Sequence, residues 1–112
     1  MHELSITRNI VAIVSEAAEG RRVLAVTLEV GALSGVTADA IAFCFGVVSA
    51  ETPVEGARLH ILRIDGCARC RLCSCEFPAP ALYSPCPCGS RETDLIGGSE
   101  LTIKSMELEE AA

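Results

Sequence analysis

The sequence predicts an α+β fold: two helices packed on a three-stranded sheet, with a cysteine-rich module inserted before the last strand. Three observations support that expectation. Apolar residues recur at helical spacing near the start of the chain and again beyond Thr37. Period-two alternation marks three other segments. Residues 66–97 hold six of the seven cysteines and four of the five prolines, with little apolar periodicity of their own.

The first helix is expected to present Ile6, Ile10, Ile13, Val14 and Ala17 on its apolar face, opposite Arg8, Ser15 and Glu19. Gly20 supplies a C-terminal stop. From Arg22 to Val30 the pattern changes. Leu24, Val26, Leu28 and Val30 alternate with Ala25, Thr27 and Glu29, as in a half-buried strand. Gly31 to Gly35 reads as a turn, after which Thr37 is an N-cap and Asp39 places negative charge in the first turn of the second helix. Ile41, Phe43, Cys44, Phe45, Val47 and Val48 are too dense for a thin stripe, so this helix is expected to be well buried, with Cys44 a small buried hydrophobe. Pro53 and Gly56 close the segment.

A second strand covers Arg58 to Ile64 and a third Glu100 to Met106, followed by an acidic, frayed tail from Glu107 to Ala112. His60, between Leu59 and Ile61, reads as a surface strand residue. The expected organisation is an α/β domain of residues 1–65 plus 98–112, with residues 66–97 as the insert. Gly66 and Gly97-Gly98 flank that insert like hinges.

At 112 residues and half apolar, the chain has the means to build a real core. Its net charge of −6, with nine scattered Lys and Arg, argues against nucleic acid, which needs a basic face. No apolar run approaches the roughly 20 residues of a membrane span, and Met1-His2-Glu3 has no basic signal-peptide region. The expected location is therefore cytoplasmic. In a reducing compartment, clustered cysteines are metal ligands more often than disulfides.

The cluster runs Cys67-Ala68-Arg69-Cys70-Arg71-Leu72-Cys73-Ser74-Cys75, then Cys86-Pro87-Cys88-Gly89 after ten residues. Zinc takes four soft ligands in a tetrahedron, each thiolate about 2.3 Å from the metal. Two cysteine turns facing one another supply that set, and the bound ion stabilises a stretch too short for its own core. Cys70 with Cys73 is the best first pair and Cys86 with Cys88 the second, although Cys-x-Cys is tighter than the usual knuckle. Cys67 and Cys75 are surplus, and either competes as a ligand. Four thiolates close the coordination sphere, so the module reads as zinc-ribbon-like and its zinc as structural. A disulfide framework is the bland alternative. A thioredoxin-like role is weaker, because its Cys-x-x-Cys sits near a βαβ pattern that is not expected here.

At the N-terminus, the Met1 amine, the His2 amide nitrogen and the His2 imidazole can form two fused chelate rings. Three nitrogens in one plane suit square-planar Ni(II) or Cu(II). Glu3 offers a carboxylate or orients the imidazole. Without other information, a histidine at position two is simply a solvated terminus.

Met1-His2-Glu3-Leu4-Ser5, Leu28-Glu29-Val30-Gly31-Ala32-Leu33-Ser34-Gly35-Val36, the cysteine module and Ile96-Gly97-Gly98-Ser99-Glu100-Leu101 together resemble the HypA/HybF family, in order and over almost the whole chain. The resemblance implies a nickel metallochaperone of [NiFe] hydrogenase maturation, with Ni(II) as transferred cargo and Zn(II) as a structural ion. His2 would be the essential nickel ligand, helped by the Met1 amine and by Glu3. The implied partners are a HypB-type GTPase and the hydrogenase large subunit, and some relatives also serve urease. The chain would act as a monomer or weak homodimer. Two departures stand out. The family's second cysteine pair is often Cys-x-x-Cys, one residue longer than Cys86-Pro87-Cys88, which keeps Cys67 and Cys75 in play. Some relatives carry an acidic residue near nickel after the Gly-Ala-Leu-Ser turn, where this chain has Thr37, with Asp39 two residues on.

No Ser-His-Asp set, phosphate-cradling glycine loop or open zinc triad is apparent, so no enzyme activity is expected. The alternatives to a metallochaperone are a zinc-ribbon interaction module and a thiol redox switch using Cys67 and Cys75.

Overall fold

The computed structural model describes residues 2–110. It opens with α1 (His2–Ala17), earlier than the apolar stripe alone suggests. Its buried face is rotated from the expected one. Thr7, Ile10, Val11, Val14 and Ala18 face the core, whereas Ile13 is 56 % exposed and Ala17 also faces solvent. The run Ile10-Val11-Ala12-Ile13-Val14 offers two overlapping stripes, and packing selects the one that includes Val11.

β1 (Val23–Gly31) is the central strand of a three-stranded sheet ordered β2-β1-β6, with β2 spanning Arg58–Ile64 and β6 Leu101–Leu108. Val26, Leu28 and Val30 are buried as the alternation requires. A register shift against β6 between Val23 and Ala25 breaks it at Leu24, which turns outward while Val23 turns in. β6 outlasts its expected end. Leu108 pairs with Val23, and the Glu109 amide donates to the Arg22 carbonyl at 2.8 Å, so the tail is tied to the sheet through Glu109.

Between β1 and β2 lies α2 (Ala38–Val48), capped by Thr37, whose Oγ1 accepts from the Ala40 amide at 3.3 Å. β1 and β2 run parallel, so β1–α2–β2 is a βαβ unit after all. Both helices contribute to one core with β1: Val14, Leu28, Ile41 and Val54 are fully buried in it. α2 itself is less buried than its composition suggests. Ile41 and Phe45 point inward, but Phe43 is 76 % and Val47 61 % exposed, and Cys44 is only half-buried. The fold uses one face of an all-round apolar helix.

The insert forms a second sheet, ordered β4-β3-β5, from β3 (Cys67–Cys70), β4 (Glu76–Pro78) and β5 (Thr93–Gly97). Its junction with the first sheet is packed, and not the loose hinge that its glycines suggest. A Cβ on Gly66 would overlap the Ala79 carbonyl, and one on Gly31 would overlap the Gly98 carbonyl. Gly98, in the left-handed region at φ +105°, would bring a Cβ within 2.5 Å of Gly66 Cα. Leu33 N–H donates to the Gly98 carbonyl at 2.7 Å and Ala79 N–H to the Gly66 carbonyl at 2.9 Å, which stitches the crossing segments together.

Candidate metal centres

In the second sheet, Cys70 ends β3, and the following turn brings Cys73 back beside it. The Ser74 amide donates to the Cys70 carbonyl at 2.9 Å and the Cys70 amide to the Cys75 carbonyl at 2.9 Å. A second turn is built the same way: Gly89 N–H donates to the Cys86 carbonyl at 2.8 Å, and the Cys86 amide to the Ser90 carbonyl at 2.9 Å. The two turns face each other. The sulfurs of Cys70, Cys73, Cys86 and Cys88 all lie within 4.8 Å of one another. Cys70 Sγ is 3.8 Å from Cys88 Sγ, and Cys73 Sγ is 3.6 Å from Cys86 Sγ. A tetrahedron with zinc–sulfur bonds of about 2.3 Å has edges of about 3.8 Å, so the four-thiol cluster fits a structural zinc site.

Backbone amides complete the cluster, and residue identities alone give little sign of them. Leu72 N–H and Cys73 N–H lie 3.4 Å and 3.5 Å from Cys70 Sγ, and Cys88 N–H lies 3.4 Å from Cys86 Sγ. The Cys73 amide, with that of Leu72, stabilises the Cys70 thiolate and lowers its pKa to about 6. The Cys88 amide acts in the same sense on Cys86. There burial and the facing thiols of Cys88, Cys73 and Cys70 outweigh it, and the thiol is pushed up to about 12. Cys73 is raised as well, against the Cys75 amide, by burial and by Cys70 and Cys88. Four such thiols cannot all ionise side by side without a cation, which a divalent metal supplies.

Cys67 and Cys75 stand outside this group. Cys67 pairs with Pro78 across the β3–β4 ladder, whereas the Cys75 carbonyl accepts from Cys70, three positions along. At roughly 3.3 Å per residue that separates them by about 10 Å, beyond the ~7 Å Cα limit for a disulfide. A redox switch closing Cys67 onto Cys75 is therefore blocked in this fold. The βαβ unit does not revive a thioredoxin-like reading either, because Cys70 ends a strand of the other sheet and Cys73 lies in the turn that follows it.

His2 opens α1 with its side chain 60 % exposed, and its Nδ1 is 3.8 Å from Glu3 Oε1. Glu3 is largely covered, at 19 %. Its own backbone N–H holds the Glu3 carboxyl below the usual carboxylate range, with the charge of His2 adding a smaller pull, against burial. At a helix start the first amides have no carbonyl four residues upstream, so the His2 amide is not committed to the helix. The first turn is braced instead by side chains. Ser5 Oγ donates to the His2 carbonyl at 3.0 Å and Thr7 Oγ1 to the Glu3 carbonyl at 2.6 Å. Met1, whose amine the sequence nominates, lies outside the described residues. Asp39 faces Arg63 Nη2 at 3.4 Å, Thr37 caps α2, and His60 is exposed on β2.

An α+β body carrying a four-thiol cluster and a separate, solvent-facing N-terminal histidine defines a metal-binding protein. Residues 1–108 match the family model described as hydrogenase/urease nickel incorporation, metallochaperone, HypA. The chain belongs to that family, and by that membership it is a nickel metallochaperone of hydrogenase maturation. It is 50 % identical to the hydrogenase maturation factor HypA of Geotalea uraniireducens over 110 residues, covering 97 % of this chain and 100 % of that one. To the HypA of Trichormus variabilis it is 53 % identical, covering 98 % and 97 %. Among solved structures, the nickel metallochaperone HypA of Helicobacter pylori aligns with a TM-score of 0.68 at 25 % identity, over 95 % of this chain and 96 % of that one. Another HypA solution structure aligns at 0.73 with 26 % identity, over 97 % of both chains.

Proposed function

We propose that this chain carries Ni(II) at its N-terminus, on His2 with the Met1 amine and Glu3, and delivers it during [NiFe] hydrogenase maturation. The observation behind this reading is the exposed His2 imidazole facing the Glu3 carboxylate at 3.8 Å, at the start of α1. Two metal–ligand bonds of about 2 Å each span that gap. Exposure matters as much as the donors, because cargo has to leave through ligand exchange with another protein. Zn(II) is held by Cys70, Cys73, Cys86 and Cys88, with Cys67 and Cys75 as bystanders.

The division of labour follows the chain. Residues 1–65 plus 98–112 form the nickel-binding domain, and residues 66–97 form the zinc-binding module. The chain makes and breaks no covalent bonds of a substrate and acts in the cytoplasm. Its partners are a HypB-type GTPase, which supplies the nucleotide chemistry, and the hydrogenase large subunit, which receives the nickel. Among the described residues, no helix is long and apolar enough to cross a membrane.

Cells lacking the protein test this reading. Hydrogenase activity should fall and should return with nickel added to the medium or with the wild-type gene, but not with the His2→Ala gene. A loss that nickel does not relieve, or full complementation by His2→Ala, contradicts it.

A further inference from the structure

The two faces of the cysteine module differ in how their charges are paired. On one face Arg69 pairs with Glu76, and Arg71 Nε lies 3.2 Å from Asp94 Oδ1, so both guanidinium groups are balanced. Arg91 is the module's third arginine. Among the described residues its guanidinium has no hydrogen-bond or ion-pair partner. It lines a cavity of about 160 Å³ whose floor is Ala68, Ala79 and Leu95. Strand alternation separates the two sets. Ala68 precedes Arg69 on β3, and Thr93 and Leu95, which line the cavity, flank Asp94 on β5. No acidic side chain lines the cavity, and Glu92, next to Arg91 in the chain, stays outside its lining.

The cavity's rim is the loop between Pro80 and Pro85. There Leu82 is 53 % and Tyr83 89 % exposed, and Tyr83 stands at φ +66°, in the left-handed region that bulky residues rarely adopt. Strain of this kind persists where the surroundings impose it, and it clusters at binding sites. Ser84 Oγ supplies the constraint, donating to the Ala81 carbonyl at 2.7 Å and accepting from the Ala81 amide at 3.3 Å. The rest is fixed by the turn that runs from Cys86 to Ser90, whose Cys86 amide donates to the Ser90 carbonyl at 2.9 Å. Ser84 stands just before that turn and Arg91 directly after it.

This chemistry selects its ligand. One guanidinium balances one carboxylate and grips it with two parallel N–H bonds, whereas a phosphate carries nearly two charges and calls for a second cation. A volume of about 160 Å³ admits a single side chain and no helix or strand. A free small acid would leave Leu82 and Tyr83 in water, but a protein inserting an acidic side chain covers both. Tyr and Arg are also the residue types in which interface binding energy concentrates.

We propose that this cavity takes a Glu or Asp side chain of a partner protein, with Arg91 as the carboxylate's counter-ion and Leu82 and Tyr83 covered by apolar residues flanking that acid. The proposal is independent of the nickel reading. It is tested by NMR titration of the full, zinc-loaded chain with three probes: capped Gly-Leu-Glu-Leu-Gly, the same peptide with Gln for Glu, and glutarate. Wild type should bind the Glu peptide at least tenfold more tightly than either other probe, with the largest shifts in residues 81–84 and 91–95. Arg91→Gln should weaken the Glu peptide at least tenfold, and Arg91→Lys should recover part of that loss. Tyr83→Asn, which tolerates the left-handed backbone, should weaken the peptide severalfold and leave glutarate unchanged. All three variants should keep one zinc per chain.

Equal binding of the Glu and Gln peptides, wild-type affinity in Arg91→Gln, or no binding of the Glu peptide overturns the proposal. Glutarate binding as tightly as the Glu peptide overturns it too, by assigning the cavity to a free acid. So does a dimer in sedimentation velocity that Arg91→Gln dissolves, which assigns the cavity to a second copy of the chain.

Discussion

The α/β body and the cysteine module are both built around a central strand, but their interiors differ in kind. The body's core cluster gathers 12 buried apolar residues from α1, β1, α2 and their connections, whereas the module's has five, of which Cys70 and Cys86 are two. Ala68, Phe77 and Ala79 make up the rest, with one large side chain among them. Burial of apolar surface sustains the body. Nothing comparable is available to the module, so its order has to come from the metal its thiols hold. The two halves should therefore fail for different reasons, although the packed glycine junction joins them.

The largest effect should follow removal of zinc by a chelator or by Cys70→Ser. Structural zinc contributes on the order of 10–16 kcal/mol in small zinc-binding peptides, far more than a five-residue cluster can replace. Amide exchange should become fast across residues 67–97 while the α1 and β1 amides stay protected. Slow exchange persisting in the module without zinc would break the contrast. Zinc affinity should also fall as pH drops. Cys73 and Cys86, both raised, must shed protons to bind, whereas Cys70 is already ionised above about 6. An affinity independent of pH would contradict that assignment.

The complementary change is Leu28→Ala, which empties a fully buried position in the body. It should cost about 3 kcal/mol in denaturant unfolding and leave one zinc per chain. The smallest effect belongs to the bystanders. Cys67→Ser and Cys75→Ser should each retain one zinc, measured by emission spectroscopy. Loss of zinc in either would bring that residue back into the ligand shell.

Much of this architecture is legible in the sequence. Arg58–Ile64 is a strand between the expected limits, Thr37 caps α2, and the last strand returns to the first sheet past the insert. Each has a local cause: alternation, a side-chain cap and a shift in composition. What depends on tertiary choice is not legible. The Ile10–Val14 run permits two helical faces, and only packing rejects Ile13. An all-round apolar α2 reads as buried, yet the chain's own core covers only the face of Ile41 and Phe45 and leaves Phe43 and Val47 exposed. The parallel pairing of β1 with β2 leaves no mark on either strand. At the cluster, six cysteines in close spacing allow several ligand sets. Backbone turns bring four sulfurs together, and the sequence shows those turns only as Ser74 and Gly89.

The account stands or falls on the independence of the two metal sites, since His2 and Glu3 lie outside the only grouping of three or more metal-ligating side chains among the described residues. The most direct measurement is calorimetric titration of Ni(II) into zinc-loaded His2→Ala, with zinc determined on the same sample. The account predicts at least a hundredfold loss of nickel affinity with zinc unchanged at one per chain. Nickel binding at the wild-type affinity, or zinc lost along with nickel, would contradict it.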